Sequence, residues 1–372
     1  MQRSLIVSTC GTSLLTNGAA SDLRKVLYAT TNCQENELDE ATRSRIEERL
    51  REQKARLDDI SDANNIRQMA AELNGILGLY DDRLEKAKAD HHILIHTDTW
   101  QGEQVAQLLA GWLRQKGVSA QSQKVDDLRT SDLESFQSGL NSLVAWCEAT
   151  LPGYREQQYH IVFNLVGGFK SLQGFMQTLG MFYADELVYI FETGNQLLQI
   201  SRLPIQIEEA ATDAIRNNLA VFRRLDDPQA TCTTDEVRGI PETFLYRLDN
   251  AVDLSPWGRL IWQRHKREFY RERILEPISS KLVISVKVMQ EAENLQPDLR
   301  ERFNQRMDDL SRYLDSGQNR AINRLDFKQL KGNPRPPSTH ECDLWADQGA
   351  WRAFGHFDNQ QFIVDDIGPG LH

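Results

Sequence analysis

The sequence predicts an α/β protein with a mostly parallel sheet, followed by a helical connector and a compact α+β tail. Three observations carry this reading. Apolar runs that end in polar, glycine-bearing loops recur with helical stretches between them, at Leu5–Ser13, Ile93–Gly102 and Val162–Ser171. The pattern changes to amphipathic helical stretches after Pro204, and changes again after Pro277. The boundaries therefore fall at 1–205, 206–279 and 280–372.

In chain order, residues 4–15 read as a strand and its loop, Ser8-Thr9-Cys10-Gly11-Thr12-Ser13. Residues 34–88 are dense in charge with Leu, Ile and Met at helical spacing, and read as one or two long helices projecting from the core. Ile93–Ile95 is the next strand, and Thr97 or Asp98 is a suitable cap for the helix that follows. A weaker strand near 120–125 precedes a helix near 131–147, and Leu151-Pro152-Gly153 reads as a break. A strand through Asn164, the loop Gly167-Gly168-Phe169-Lys170-Ser171 and a helix come next. Leu187–Phe191 is another strand, turned by Thr193-Gly194-Asn195 into 197–203. Such βα alternation implies a parallel sheet covered on both faces, with ligands at the strands' carboxyl ends.

Residues 206–225 and 241–276 read as helices. Arg259, Arg264, Lys266, Arg267, Arg271 and Arg273 make one of them basic, with Trp257, Trp262, Phe269 and Tyr270 interleaved. That pattern suits either a buried aromatic side or an RNA- or partner-binding face. In the tail, 282–288 reads as a β-branched strand, and 297–314 and 318–331 as helices. Arg320, Arg324, Lys328 and Lys331 would share a face of the second helix, which Gly332 and Pro334 end. Strands near 338–345, 350–357 and 361–367 follow, with turns at Asp347-Gln348-Gly349 and Asp358-Asn359.

Composition narrows the function classes. The 372 residues suffice for more than one core, and 40% hydrophobic with 26% charged residues is the balance of a globular protein. No apolar run approaches the ~20 residues of a membrane span, and the start of the sequence has no secretory apolar region. Five cysteines without a C-x-x-C pair favour reduced thiols in a cytoplasmic protein, with neither a disulfide framework nor a zinc site; no other metal or cofactor is expected. A net charge of −11 argues against non-specific coating of nucleic acid.

The loops carry the chemistry. Neither G-x-G-x-x-G nor G-x-x-x-x-G-K-[ST] is present, so the dinucleotide fingerprint and the Walker loop are excluded. Three polar loops at strand carboxyl ends still suit phosphate groups, through backbone N–H groups, helix N-termini and Lys170. On the first-strand loop and Gly167-Gly168-Phe169-Lys170, residues 1–205 resemble the CARF domain, a Rossmann-like CRISPR-associated sensor. The resemblance implies a homodimer that binds a cyclic oligoadenylate, cyclic tetra-adenylate foremost, across its two-fold interface. Ser8, Thr9, Cys10, Gly11, Thr12, Ser13, Thr97, Gly167, Gly168, Lys170 and Ser171 would line the pocket, and Trp100 and Gln101 would meet adenine. Some relatives also cut the activator; here Lys170 with Ser8 or Ser13 would stabilise the transition-state phosphate.

The tail's β-α-α-β-β-β order, Lys328-Gln329-Leu330-Lys331-Gly332 and the Gly349–Phe354 strand resemble RelE toxins, ribonucleases that cut mRNA on the ribosome. The resemblance implies metal-independent attack by the 2′-OH. Arg352 would bind the scissile phosphate, and His340, His356 and His372 are the acid–base candidates. Lys328 and Lys331 would hold the RNA backbone. In place of the family's lysine-rich strand stands His340-Glu341-Cys342-Asp343, and the sequence stops at His372, short of the family's C-terminal helix. The whole order resembles CARF–RelE fusions, the CRISPR-associated mRNA interferases. Arg259 and His265 offer an alternative, since they fit the R-x5-H spacing of HEPN ribonucleases, although a six-residue step turns a helix by about 600° and separates the two side chains. A transcription regulator that uses the middle helices on DNA, or a pure ring nuclease, are the readings from other classes.

Overall fold

The computed structural model describes residues 2–190, 196–248, 251–319, 322, 324–332, 334–346 and 349–370. The chain divides into two compact units, residues 1–206 and 207–372.

The first unit runs from β1 (Ser4–Thr9) through α1 (Ser13–Thr16), α2 (Ser21–Ala29), α3 (Glu40–Asp59), α4 (Ala63–Met69) and α5 (Ala71–Leu79) to β2 (His91–His96). Then come α6 (Trp100–Gln115), β3 (Ser119–Lys124), α7 (Leu133–Glu156), β4 (His160–Asn164), α8 (Lys170–Tyr183), β5 (Glu186–Ile190) and β6 (Leu197–Ser201). The strands form one sheet in the order β3-β2-β1-β4-β5-β6. The first five are parallel, and β6 pairs antiparallel with β5. Leu5, Val7, Ile93, Leu94, Ile161 and Phe163 are all buried, as near-continuous apolar strands covered on two faces require. The chain leaves β1 toward β2 and returns on its other side as β4, so the crevice between strand ends lies between the β1 and β4 loops.

Two expectations for this unit change. Residues 34–88 do not project: α3, α4 and α5 are separate helices, and Ile46, Leu50, Leu57, Ile66 and Leu73 join one core with Leu94 and Trp112. Enough apolar side chains sit among the charges to bury a face of each. Pro152 does not break the chain either, since α7 continues through it to Glu156. Leu151 is buried beneath that turn, and Tyr154 stacks on His91 at 5.9 Å, which holds the helix across the missing N–H. The turn expected at 193–195 lies outside the described residues.

The second unit begins with α9 (Glu209–Asn217) and α10 (Leu219–Leu225). Where 241–276 reads as helix, a hairpin of β7 (Leu245–Leu248) and β8 (Ala251–Leu254) comes first, and α11 (Pro256–Glu272) follows from its N-cap Ser255. The rest is β9 (Leu282–Ile284), α12 (Val286–Glu293), α13 (Pro297–Asp315), β10 (Lys328–Gln329), β11 (His340–Trp345), β12 (Trp351–Asp358) and β13 (Gln361–Pro369). Their sheet has the order β10-β11-β12-β13-β9, with β9 parallel to β13. The strand read over 282–288 stops at Ile284, because the Ser285 hydroxyl caps α12. The helix read over 318–331 is absent among its described residues, and Lys328 stands in β10. The two helices of the β-α-α-β-β-β order are thus α12 and α13, one element earlier than read. The β12–β13 turn is as expected, with Asn359 and Gln360 at φ 44° and 73°; the turn at 347–349 lies partly outside the described residues.

Segment 207–279 is packed into this unit rather than linking to it. Arg223 donates to Asp308 on α13 at 2.5 and 3.2 Å, with both side chains buried, and the Tyr270 hydroxyl donates to the same carboxylate. Asn304 of α13 donates to the carbonyls of Tyr270 and Arg273 at 2.8 Å each, closing the end of α11.

Candidate functional site

At the carboxyl end of the first sheet, the β1 and β4 loops touch. A Cβ on Gly11 would stand 3.2 Å from the Gly168 Cα, and Gly168 has φ +95°, so both positions are reserved for glycine. The Thr9 hydroxyl donates to the Gly167 carbonyl at 2.6 Å. Beneath the junction lies Glu72, fully buried in the first turn of α5. Its carboxylate accepts from the Gly11 N–H at 2.7 Å and from the Ser13 hydroxyl at 2.9 Å. Ser13 in turn accepts from the Ala71 N–H at 3.0 Å. Burial pushes the Glu72 carboxyl up, against the N–H groups of Gly11 and Gly168 and the Ser13 hydroxyl, which favour its charged form.

The expected pocket residues separate into two groups. Gly168, Lys170 and Ser171 are exposed and Thr12 and Ser13 half-buried, while Thr9, Gly11 and Gly167, expected in the pocket, are buried at the loop junction. Lys170 and Ser171 open α8, whose N-cap, Phe169, supplies no side-chain cap. Ser8 is buried and accepts from Asn164 Nδ2 at 3.1 Å, so its hydroxyl cannot serve a ligand phosphate. Cys10 is buried, and its thiol is pushed up by burial and by Glu72. Thr97 is buried, bonded to the Thr99 hydroxyl at 2.9 Å, and Thr99 rather than Thr97 or Asp98 caps α6. Trp100 and Gln101 turn inward: Trp100 joins the core, and Gln101 donates to the Leu27 carbonyl and the Thr30 hydroxyl. The contact with adenine expected of them is not offered here, because the first turn of α6 packs toward α2.

In the second unit, Cys342, Ala353, Phe362 and Val364 face α13 and its Phe303, Met307 and Leu310. Strand alternation then puts Glu341, Asp343, Arg352, Phe354 and His356 on the opposite face of the sheet. A bulge at β12–β13 pairs Phe354 with Asp366 and Gly355 with Val364, which leaves Asp365 as the extra residue. Asp365 accepts from His356 Nδ1 at 2.8 Å and from the Ser338 hydroxyl at 3.0 Å. A carboxylate can only accept, so Nδ1 carries the proton and Nε2 is left as the basic nitrogen. Arg335 lies over the Phe354 ring at 4.2 Å and pairs with Asp366 at 2.7 Å.

Arg352 is not free for a phosphate. It meets Glu341 at 2.5 Å, Asp343 at 3.2 Å and Asp326 at 3.7 Å. Lys328 pairs with Asp326 at 2.5 Å, while Lys331 is exposed. His340 stacks on Phe327 at 5.3 Å with Phe357 and Phe362 around it, and burial lowers its pKa, as for a packed ring. His372 and Arg320 lie outside the described residues. Arg324 pairs with Asp309 at 2.6 Å rather than lining a helix face with Lys328.

The R-x5-H pair is not assembled. Arg259 is buried and donates to the Leu225 carbonyl and Asp253, while His265 lies beside Glu268 at 3.6 Å. The remaining cations of α11 are largely neutralised: Lys266 by Asp226, and Arg267 and Arg271 by Glu301. Its aromatic residues Trp262, Phe269 and Tyr270 form core instead of a binding face.

Sequence reasoning missed Glu72, Glu341, Arg335 and Asp365. Only Asp365 left a signal, two successive acids that interrupt the alternation of Phe362–Ile367.

A family model described as CRISPR-associated protein (Cas_APE2256) matches residues 67–203. The matched span takes in Glu72, β2, β4 and the Gly167–Ser171 loop, and it supports a CRISPR association. No curated protein matches the chain. No helix among the described residues is long and apolar enough to cross a membrane.

Proposed function

We propose that this chain is an ancillary effector of type III CRISPR defence, a ribonuclease switched on by cyclic oligoadenylate. One observation carries the reading: the loop that meets Gly11 at the sheet's switch point, with exposed Lys170 and Ser171, falls inside the span similar to a CRISPR-associated family. In this reading a CARF-type homodimer binds the ring, cyclic tetra-adenylate first, at Thr12, Lys170 and Ser171. Binding favours the active arrangement only as far as the ring prefers it.

The effector is the RelE-like second unit. His356 Nε2 takes the proton of an RNA 2′-OH, with Asp365 fixing the ring, and O2′ attacks phosphorus. The P–O5′ bond breaks, leaving a 2′,3′-cyclic phosphate and, after protonation from water, a 5′-OH. Arg335, over Phe354 and paired through Nε with the single carboxylate of Asp366, keeps its terminal nitrogens for the charge that develops on the phosphorane. The mRNA substrate, on ribosomes, and the enzyme's independence of metal belong to the same proposal.

Calorimetric titration with cyclic tri-, tetra- and hexa-adenylate tests the sensor. Lys170→Ala is expected to weaken binding of the tetramer by about tenfold or more, the worth of one charge-assisted phosphate contact. Unchanged affinity in Lys170→Ala, or no binding of any ring by the wild type, would remove the reading.

A further inference from the structure

The crevice where a phosphate is expected already holds a carboxyl group of the chain's own, Glu72. Backbone N–H groups of two strand-end loops and a hydroxyl form the kind of cradle that binds phosphate. Here the Gly11 N–H and the Ser13 hydroxyl are taken by Glu72, and the Gly168 N–H also favours its charged form. The fit leaves no spare room, since a Cβ on Gly167 would stand 2.3 Å from Glu72 Oε1. Neither loop supplies a cation to this carboxylate. The acid comes from α5, 61 residues along the chain from Gly11, so the arrangement is a tertiary one and not a local turn.

We propose that Glu72 is a resident anion that fills the inner cradle, holds the two ligand loops together, and confines a ligand's phosphates to the outer rim at Thr12, Lys170 and Ser171. Glu72 is then a positioning and specificity residue. Its charge opposes any phosphate that approaches the loops, and its bulk denies the inner donors to small anions. Extended ligands that reach several rim groups are accepted, and single phosphates are not. The ligand half of this statement rests on the cyclic oligoadenylate reading above; the anion half does not.

Two variants of the full chain separate the halves. Glu72→Gln keeps the size of the side chain, with Oε1 accepting from Gly11 and Nε2 donating to Ser13 Oγ, and removes the charge. Titrated with cyclic tetra-adenylate, it is expected to bind about tenfold more tightly than wild type, the effect of one unit charge across ~8 Å at an effective dielectric constant of ~30. Equal or weaker binding overturns the proposal. Glu72→Ala empties the cradle. Formate should raise its melting temperature well above that in chloride of equal ionic strength, and should leave wild type unmoved. A formate effect no larger than in wild type, or a Glu72→Ala chain that stays unfolded in formate as in chloride, overturns it. If no ring binds wild type or Glu72→Gln, the ligand reading fails, and the formate experiment still decides whether the cradle is an anion site.

Discussion

Single side chains decide what each site can do. At the sheet end, Gly11 and Gly168 let two loops touch, and Glu72 takes their donors. In the second unit, His356 owes its basic nitrogen to Asp365, a residue turned toward it by one bulge. Another residue, in the core of the first unit, sets a pH limit. His92 is buried on β2, with Nε2 at 3.0 Å from the Tyr80 hydroxyl, and burial lowers its pKa to about 3. An unfolded chain takes up that proton near the ordinary value of about 6.5. The stability tied to neutral His92 is therefore complete above about pH 6.5 and is lost as pH falls toward about 3, at up to about 1.4 kcal/mol per unit. Thermal melts from pH 8 to pH 4 should show this slope in wild type and a shallower one in His92→Gln. Parallel slopes would mean that His92 titrates alike in both states.

At the scale of elements, the parallel strands of the first unit and their loops were legible, because β-branched runs that end in glycine and hydroxyl residues have few other uses. Glu72 was not, since its partners are Gly11 and Ser13, 61 and 59 residues away. Arg352 looked like a phosphate ligand because no pattern shows that Glu341, Asp343 and Asp326 converge on it. The short β7–β8 hairpin was lost in a helical reading, as four-residue strands carry little periodicity. The basic helix α11 was half legible: its aromatic spacing marked a buried side, but the carboxylates of α10, α13 and their flanks that neutralise its cations are distant in sequence. The join at residue 279 is the element-scale claim most open to test. Cut there, α13 would keep Asp308 and Asn304 without Arg223, Tyr270 and the end of α11. A fragment of residues 280–372 is expected to show no cooperative melt, while 207–372 melts cooperatively. Within 207–372, Asp308→Ala should cost about 3–5 kcal/mol, the usual penalty for leaving a buried charge unpaired, read from urea titrations. A cooperative melt of 280–372 alone would restore the separate connector.

At the scale of the whole molecule, the proposed function pairs a ring-binding unit with an RNA-cutting one. The CRISPR association rests on the match over residues 67–203, and the proposed nuclease on the His356–Asp365–Arg335 face. The charges that occupy Arg352 were not legible in the sequence, because neighbours across a sheet are set by register: Arg352 stands opposite Asp343 on β11, beside Glu341. The most direct measurement is cleavage of RNA, free in EDTA and on translating ribosomes in Mg²⁺, with and without cyclic tetra-adenylate, by wild type, His356→Ala and Arg352→Ala. Ring-dependent cleavage that leaves 2′,3′-cyclic phosphate ends is expected. It should fall about 10²–10⁴-fold in His356→Ala, the range for loss of a general base, and less in Arg352→Ala. Cleavage that survives in His356→Ala, or its absence in wild type with the ring bound, would contradict the proposed function.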